Sequence, residues 1–371
     1  MKGLFQGQYK VWRVVTHDWI GQTLRSTAYL MIAWALFCVP VSASEHTKTN
    51  KVQINLVSDV LEIESGARFW VAFRQKIHPG WHTYWKNPGD SGEPTQIKWD
   101  LPPGFQASPI HWPVPSRIPV GHLINYGFKD EVLLLSEITA PAGLTPGKML
   151  TFKAHARWLV CEEICIPEEG EASLSLQVSK EGSAVPDLIW RPAFAKAKLA
   201  LPKPFPWSAT ASHKEGDVVL SFAVPQWQAA FENKRVQSLH FFPERDGFIH
   251  YSAPQRIHYG PKGFTIFVSE GYAVKEAGGQ LPSATVSGVL VVDEHASMGE
   301  ALQRSAFEIK ALKGAIPSKM AIQPFKMADV TPPLNIGVGL AFVYAVLGGL
   351  LLNLMPCVFP ILSMKALALI R

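Results

Sequence analysis

The sequence predicts a mainly β protein, in which two β-sandwich domains in tandem are followed by a transmembrane helix. Short runs of alternating apolar and polar residues recur between turns rich in Pro and Gly, a pattern typical of antiparallel sandwiches of the immunoglobulin kind. A small, polar segment at 179–185 interrupts this pattern and indicates a domain boundary. No charged residue occurs at 334–364, which exceeds the roughly 20 apolar residues that cross a bilayer as a helix.

Residues 1–43 have the features of a secretory signal peptide. The apolar stretch at 27–39 follows several basic residues, is too short to span a bilayer comfortably, and is followed by small residues that suit cleavage after Ala43. We therefore expect export of the rest of the chain. An uncleaved anchor is the alternative, because the segment before the apolar stretch is unusually long.

The remaining chain divides into four expected parts. They are a first immunoglobulin-like domain at 50–180, a second β-sandwich domain at 205–295, a linker at 296–333, and a first transmembrane segment at 334–371.

The expected helices and strands follow from the spacing of apolar residues and turns. Short helices are expected at 187–201 and 298–312. Strands are expected at 52–57, 69–73, 132–138, 149–159 and 172–178 in the first domain, and at 217–224, 238–242, 263–269 and 285–292 in the second.

Composition and charge narrow the class of partner. The chain is 47% hydrophobic and 18% charged, and the apolar excess lies in the two stretches described above. The formal net charge of +5 lies partly in residues 1–43. Nucleic-acid-binding proteins carry a concentrated basic surface, so we expect no nucleic-acid partner.

Three cysteines remain after the signal peptide, namely Cys161, Cys165 and Cys357. An exported chain meets an oxidising compartment, where Cys161 and Cys165 are expected to pair. On one straight strand their Cα atoms would lie about 13 Å apart, whereas a disulfide requires roughly 4.4–6.8 Å. The chain must therefore reverse at 162–164 or coil into a helical turn there. The strand-like sequence on both sides favours a hairpin.

A reversible redox role suits this pair better than a structural one. So small a ring stabilises the fold by about 2 kcal/mol, against nearly 5 kcal/mol for a ring of a hundred residues. A domain the size of 50–180 can already bury a proper core. The hairpin tip lacks the Gly that such turns prefer, so we expect a strained and easily reduced bond. Zinc sites use four ligands, so we predict no metal and no organic cofactor.

Cys357 lies in the predicted membrane segment between Pro356 and Pro360. The two prolines are expected to break the membrane helix. Non-helical backbone at membrane depth is tolerated where it is buried in protein or lines a wet cavity. A thiol at such a break is expected to be reachable for disulfide exchange.

Two motifs resemble the DsbD family of thiol:disulfide interchange proteins, which are protein-disulfide reductases. The motifs are WLVCEEICIP at 158–167 and GGLLLNLMPCVFP at 348–360. The chain is most similar to the ScsB branch of that family, which is linked to suppression of copper sensitivity. The resemblance extends from about residue 50 to the end of the sequence.

The resemblance implies an electron relay in the bacterial inner membrane, with the N-terminal domains in the periplasm. Cytoplasmic thioredoxin would reduce cysteines of the membrane domain, and electrons would pass through a thioredoxin-like domain to the immunoglobulin-like domain and then to periplasmic thiol oxidoreductases. By position, Cys161 and Cys165 would be the periplasmic pair and Cys357 the first membrane cysteine. Cytochrome c assembly and copper tolerance are the processes that this family suggests.

The resemblance also implies a cap loop over the periplasmic disulfide. The matching stretch is 124–128, and Asn125 takes the place of the usual cap phenylalanine, so Tyr126 or Phe128 would have to cover the sulfurs. The family continues through further membrane spans and a thioredoxin-like domain. We therefore expect this sequence to be a fragment, or the product of a truncated gene, and an incomplete reductase.

Two alternative functions stay open at this point. The first is a periplasmic copper-binding module, because Cu(I) favours sulfur ligands and the chain has scattered His and Met residues without tight spacing. The second is a structural adaptor with an inert disulfide. The residues considered for copper are His240, His250, His258, Met320 and Met327.

Overall fold

The computed structural model describes residues 51–180, 182–295, 301–317, 320, 322–327, 343, 346 and 347. Over this part of the chain the protein is mainly β, as predicted. None of the helices in the described part is long and apolar enough to cross a bilayer. The predicted signal peptide, Cys357, Pro356 and Pro360 lie outside the described residues, as does most of the predicted membrane segment.

The first block comprises residues 51–186 and contains all five strands predicted for the first domain. Its strands are β1 (Val52–Ser58), β2 (Val60–Ile63), β3 (Arg68–Ile77), β4 (Thr83–Gly89), β5 (Gln96–Asp100), β6 (Gln106–Ala107), β7 (Ser116–Val120), β8 (Leu123–Phe128), β9 (Glu131–Thr139), β10 (Met149–Cys161), β11 (Cys165–Val178) and β12 (Val185–Pro186).

These strands form a sandwich with a smaller sheet at one side. One face is the sheet β1-β3-β9-β6 and the other is β12-β2-β11-β10-β5, while β4-β8-β7 forms the smaller sheet. In β10 every second side chain is buried, so that Phe152 reaches across the core to Phe69 and Trp158 reaches Phe73, with ring centroids 5.8 and 6.0 Å apart. This alternation is the pattern from which the sandwich was predicted.

Helix α1 (Arg191–Leu199) connects the two blocks along the chain and falls within the range expected to be helical. The second block comprises residues 203–325. Its elements are β13 (Lys203–Pro204), β14 (Ala209–Lys214), β15 (Asp217–Phe222), a 3₁₀ turn (Pro225–Trp227), α2 (Gln228–Glu232), β16 (Val236–Pro243), β17 (Arg256–Gly260), β18 (Gly263–Ser269), α3 (Tyr272–Glu276), β19 (Thr285–His295), β20 (Leu302–Lys313) and β21 (Gln323–Phe325).

The second block differs from the predicted second immunoglobulin-like sandwich. Its described strands are joined in one sheet of order β16-β19-β20-β14-β15-β18-β17-β21, with β13 beside β20. Strand β14 links the two halves, because it pairs antiparallel with β15 and parallel with β20. A separate second two-sheet sandwich is therefore not confirmed.

Strand β20 corrects the helix expected at 298–312. From Leu302 onward the chain is extended and pairs antiparallel with β19 along its whole length. Its residues are good helix formers, but Phe307, Ile309 and Ala311 also alternate in the manner of a strand. Pairing with a long neighbouring strand outweighs a weak local preference for helix. The range expected to be a linker thus contributes two strands, β20 and β21, to the second block.

The second block packs against the smaller sheet of the first. The side-chain amide of Asn87 is buried and donates to the carbonyl oxygens of Pro243 and Arg245, at 2.7 and 3.3 Å. Tyr126 packs edge-on to Phe242, with ring centroids 4.8 Å apart. The contact between the blocks is therefore both apolar and hydrogen-bonded.

We predict that Asn87→Ala lowers the free energy of unfolding by about 1–3 kcal/mol, because it leaves the carbonyl oxygen of the buried Pro243 without this donor. Urea denaturation followed by tryptophan fluorescence measures this change. The control is Gln106→Ala, which removes an exposed amide in β6 and should change the free energy by less than about 0.5 kcal/mol. Equal unfolding midpoints for the two variants would contradict the assigned role of Asn87.

Candidate functional site

Cys161 and Cys165 form a disulfide at the tip of the long β10–β11 hairpin. The two residues are paired across the hairpin, with their Cα atoms 4.2 Å and their sulfur atoms 2.07 Å apart. The intervening residues 162–164 form the turn, closed by a hydrogen bond from the Glu162 N–H to the Ile164 carbonyl oxygen at 3.2 Å. The prediction that the chain reverses between the two cysteines is confirmed.

The two cysteines differ in their exposure to solvent. Cys161 is 2% exposed, whereas Cys165 is exposed and Ile164 beside it is 67% exposed. Cys161 is buried because the chain at His82 pairs with it, each residue donating its N–H to the carbonyl oxygen of the other at 2.9 and 3.0 Å. A protein approaching the hairpin tip therefore meets Cys165 first.

Tyr84 covers the Cys165 side of the disulfide. Its hydroxyl lies 3.4 Å from the Cys165 sulfur, and because a disulfide sulfur carries no proton, the hydroxyl is the donor. Tyr84 is 1% exposed and lies against the loop at Gly92. A Cβ at Gly92 would lie 2.2 Å from the Tyr84 ring, and Gly92 has a φ of +105°, so both space and backbone conformation require glycine there.

A buried polar cluster holds Tyr84 in place. Asn125 is buried, and its amide nitrogen lies 3.4 Å from the Tyr84 hydroxyl and 3.1 Å from the Nε2 atom of His82. Ser91 donates to the Asn125 side-chain oxygen at 3.0 Å, which leaves the Asn125 amide nitrogen as a donor. His82 then accepts at Nε2, as a neutral imidazole does.

The titration behaviour of these groups follows from their burial. Burial, with a smaller contribution from the positive charge of Lys129, lowers the pKa of His82 to about 4. Burial also raises the pKa of Tyr84, opposed by its hydrogen bond with Ser91. Near neutral pH the cluster is therefore uncharged, and the Tyr84 hydroxyl keeps its proton.

Two acidic side chains belong to the hairpin turn itself. Gly80 has a φ of +90°, and a Cβ there would lie 2.5 Å from a carboxylate oxygen of Glu162. Glu162 and Glu163 are both exposed, so the turn next to the disulfide presents negative charge to solvent.

The three residues predicted to form the cap over the disulfide lie in three different surroundings in the structure. Tyr126 is fully buried against the second block, near Phe242 and also Tyr251, whose ring lies 5.2 Å away. Phe128 stacks on Trp112, with ring centroids 6.5 Å apart. Asn125 reaches the disulfide indirectly, through the Tyr84 hydroxyl.

The sequence analysis did not identify Tyr84, whose contact with the disulfide is seen only in the structure. No local signal distinguishes Tyr84 from its aromatic neighbours, because its position depends on the pairing of His82 with Cys161, far along the chain.

Among the described residues, no group of three or more His, Cys, Asp or Glu side chains is arranged to hold a metal ion. His240 lies against Phe242, and burial lowers its pKa to about 3.

Comparison with known proteins supports the resemblance inferred from the hairpin motif. Residues 54–177 match the family model described as "Thiol:disulfide interchange protein DsbD, N-terminal". The resemblance is thereby confirmed for this part of the chain, which corresponds to most of the first block. No curated protein matches the chain in sequence.

Two solved structures show low similarity to the chain. The N-terminal periplasmic domain of ScsB from Proteus mirabilis is 15% identical, with a TM-score of 0.46, and the alignment covers 74% of this chain and 98% of that one. The MSCRAMM ACE of Enterococcus faecalis is 10% identical, with a TM-score of 0.16, and the alignment covers 72% of this chain and 97% of that one. Both scores are too low to establish a common fold over the whole chain.

We predict that Tyr84→Phe raises the pKa of the Cys165 thiol in the reduced protein, because it removes a hydrogen bond to the charged sulfur. The measurement is the pH dependence of Cys165 alkylation by iodoacetamide in a Cys161→Ser background, quantified by peptide mass spectrometry. Tyr272→Phe, which changes an exposed tyrosine of the second block, is the control and should leave the titration unchanged. An unaltered titration in Tyr84→Phe would exclude a hydrogen bond to the thiolate.

We further predict that His82 makes the protein less stable in acid. Below pH 6.5 the unfolded chain binds a proton on His82, whereas the folded protein does so only near pH 4. Between these values the unfolded state binds more protons, so the free energy of unfolding falls as the pH falls, by up to about 1.4 kcal/mol per pH unit.

Urea unfolding between pH 7 and pH 4 tests the role of His82. His82→Gln should show a shallower pH dependence than the unsubstituted protein. His122→Gln, at an exposed position, should match the unsubstituted protein. Parallel curves for the unsubstituted protein and His82→Gln would show that His82 does not contribute.

Proposed function

We propose, from the premise that residues 54–177 match the DsbD N-terminal family, that this protein is the periplasmic and membrane-attached part of a thiol:disulfide reductase. The proposed activity is reversible dithiol–disulfide exchange at Cys161 and Cys165 with thioredoxin-like proteins. The observation that carries the proposal is a disulfide at a hairpin tip with one buried and one exposed cysteine.

The exposed Cys165 is the proposed point of attack during reduction of the disulfide. A thiolate of the partner forms a bond with the Cys165 sulfur, the Cys161–Cys165 bond breaks, and Cys161 leaves as a thiolate that takes a proton from solvent. The second thiol of the partner then loses its proton and attacks the partner's own sulfur in the mixed disulfide. This step releases Cys165 and transfers two electrons in total. The reverse sequence passes them to the next protein.

Tyr84 has two proposed roles in this exchange. Its hydroxyl limits approach to the Cys165 sulfur from one side, and it stabilises the Cys165 thiolate that is released from the mixed disulfide. Because the Tyr84 pKa is raised by burial, its hydroxyl remains a donor at the pH of the exchange. Asn125 supports Tyr84 through the hydrogen bond described above, which is its proposed contribution as a member of the cap segment.

Features of the sequence support the proposed export, membrane attachment and electron supply of the protein. The signal-like segment at 1–43 supports export to the periplasm, and the uncharged stretch at 334–364 supports attachment to the inner membrane. Cys357, between Pro356 and Pro360, is the proposed first membrane cysteine in a path from cytoplasmic thioredoxin. Cytochrome c assembly and copper tolerance remain candidate processes for the periplasmic acceptors.

A Cys161→Ser variant should trap a thioredoxin-like partner, because it leaves the exposed Cys165 thiol free to form a mixed disulfide. Cys165→Ser leaves only the buried Cys161 and should form the mixed disulfide at least about tenfold more slowly. Both variants should remain folded and should fail to accept electrons from the reduced partner. Non-reducing electrophoresis with mass spectrometry of the linked peptides distinguishes these products from adducts at Cys38 or Cys357.

Equal trapping by both variants would contradict attack at Cys165, and unchanged electron acceptance by both would contradict the proposed function. A structural disulfide is the alternative, and the reduction potential separates the two. An inert bond should lie below about −300 mV, whereas a bond in exchange with thioredoxin-like proteins should lie above that value.

A further inference from the structure

Three large apolar side chains are exposed on helix α1 and in the turn that leads into it, away from the disulfide. Leu188, Ile189 and Leu199 are 71%, 82% and 76% exposed. Leu188, Pro192, Ala195 and Leu199 follow the spacing of residues that share one face of a helix. We name the exposed surface formed by Leu188, Ile189, Pro192, Ala195 and Leu199 the α1 face. Single exposed apolar residues are common on proteins, but an aligned group on one face indicates a binding surface.

The fold holds the α1 face outward. On the opposite side of the helix, Phe194 is 2% exposed and packs in a cluster with Val57, Ala72 and Leu135 of the first block. The start of the segment is fixed because the Asp187 carboxylate accepts the N–H groups of Ile189 and Trp190, at 2.8 and 3.1 Å. The exposed leucines are therefore presented by an anchored helix.

The exposed charges of α1 and its flanking residues are positive, and Lys198 is paired with Asp59 of the first block at 3.0 Å. Arg191 and Lys196 are exposed and lie on either side of the apolar stripe in the helical repeat. No acidic residue occurs at 188–214, and the nearest acid before it, Asp187, is occupied by the backbone N–H groups. Lys203, just after the helix, is also exposed. An apolar face between cations is the arrangement by which helices lie in the interface of an anionic bilayer.

We propose that the α1 face binds the surface of an anionic phospholipid bilayer, with Leu188, Ile189 and Leu199 entering the headgroup–acyl boundary and Arg191 and Lys196 contacting phosphates. Binding of the α1 face to lipid goes beyond the exchange reaction.

Photo-crosslinking in the full chain tests this proposal. The variant Ile189→p-benzoylphenylalanine is reconstituted in vesicles of phosphatidylcholine alone or of phosphatidylcholine and phosphatidylglycerol at 3:1, illuminated, and analysed by mass spectrometry. We expect lipid adducts at position 189, at least fivefold more abundant in the vesicles that contain phosphatidylglycerol. The same probe at Ile164, which is similarly exposed at the hairpin tip, is the control and should give few lipid adducts.

Charge reversal separates lipid binding from accidental contact with the membrane. Arg191→Glu with Lys196→Glu should lower the lipid adducts at position 189 by about 25-fold or more, because each of the two cations near an anionic surface contributes about fivefold in affinity. Equal lipid labelling from positions 189 and 164, labelling that does not depend on phosphatidylglycerol, or adducts mainly to protein would each overturn the proposal. None of these outcomes bears on exchange at Cys161 and Cys165, which is measured with the cysteine variants.

Discussion

The two backbone hydrogen bonds between His82 and Cys161 determine the geometry of the site. They attach the end of the β10–β11 hairpin to the segment that leads into β4. Cys161 is buried by this attachment, whereas Cys165 on the other side of the turn stays exposed. Two residues after His82, the chain brings the Tyr84 hydroxyl to the Cys165 sulfur. The asymmetry of the disulfide and its cover therefore arise from one backbone contact.

The second block packs against the part of the first block that carries the site. Its contacts are made with β4, β7 and β8, the sheet that carries Tyr84 and Asn125. Tyr126, next to Asn125, is fixed between Phe242 and Tyr251. Neighbouring residues of one strand point to opposite faces, so Tyr126 faces the second block while Asn125 faces the redox pair. This explains why Tyr126, one of the two aromatic residues expected as a cap, packs at the interface with the second block.

Sequence reasoning was reliable where local chemistry decides the structure. The spacing of Cys161 and Cys165 left a sharp reversal as the favoured way to pair them, and alternation of apolar residues located the strands of the first block. It failed where distant pairing decides. Residues 302–312 have the composition of a helix but pair with β19, and Tyr84 is indistinguishable from core aromatics until His82 meets Cys161. The single sheet of the second block depends on the parallel pairing of β14 with β20, which no local pattern reveals.

The unequal exposure of the two cysteines has a kinetic consequence for the proposed exchange. With only Cys165 presented to solvent, the protein that delivers electrons and the protein that receives them must occupy the same position in turn. The two cannot be bound together, so turnover divides into two half-reactions joined by the free, reduced form. A large excess of either partner should then slow the cycle by competing for a place that the other needs.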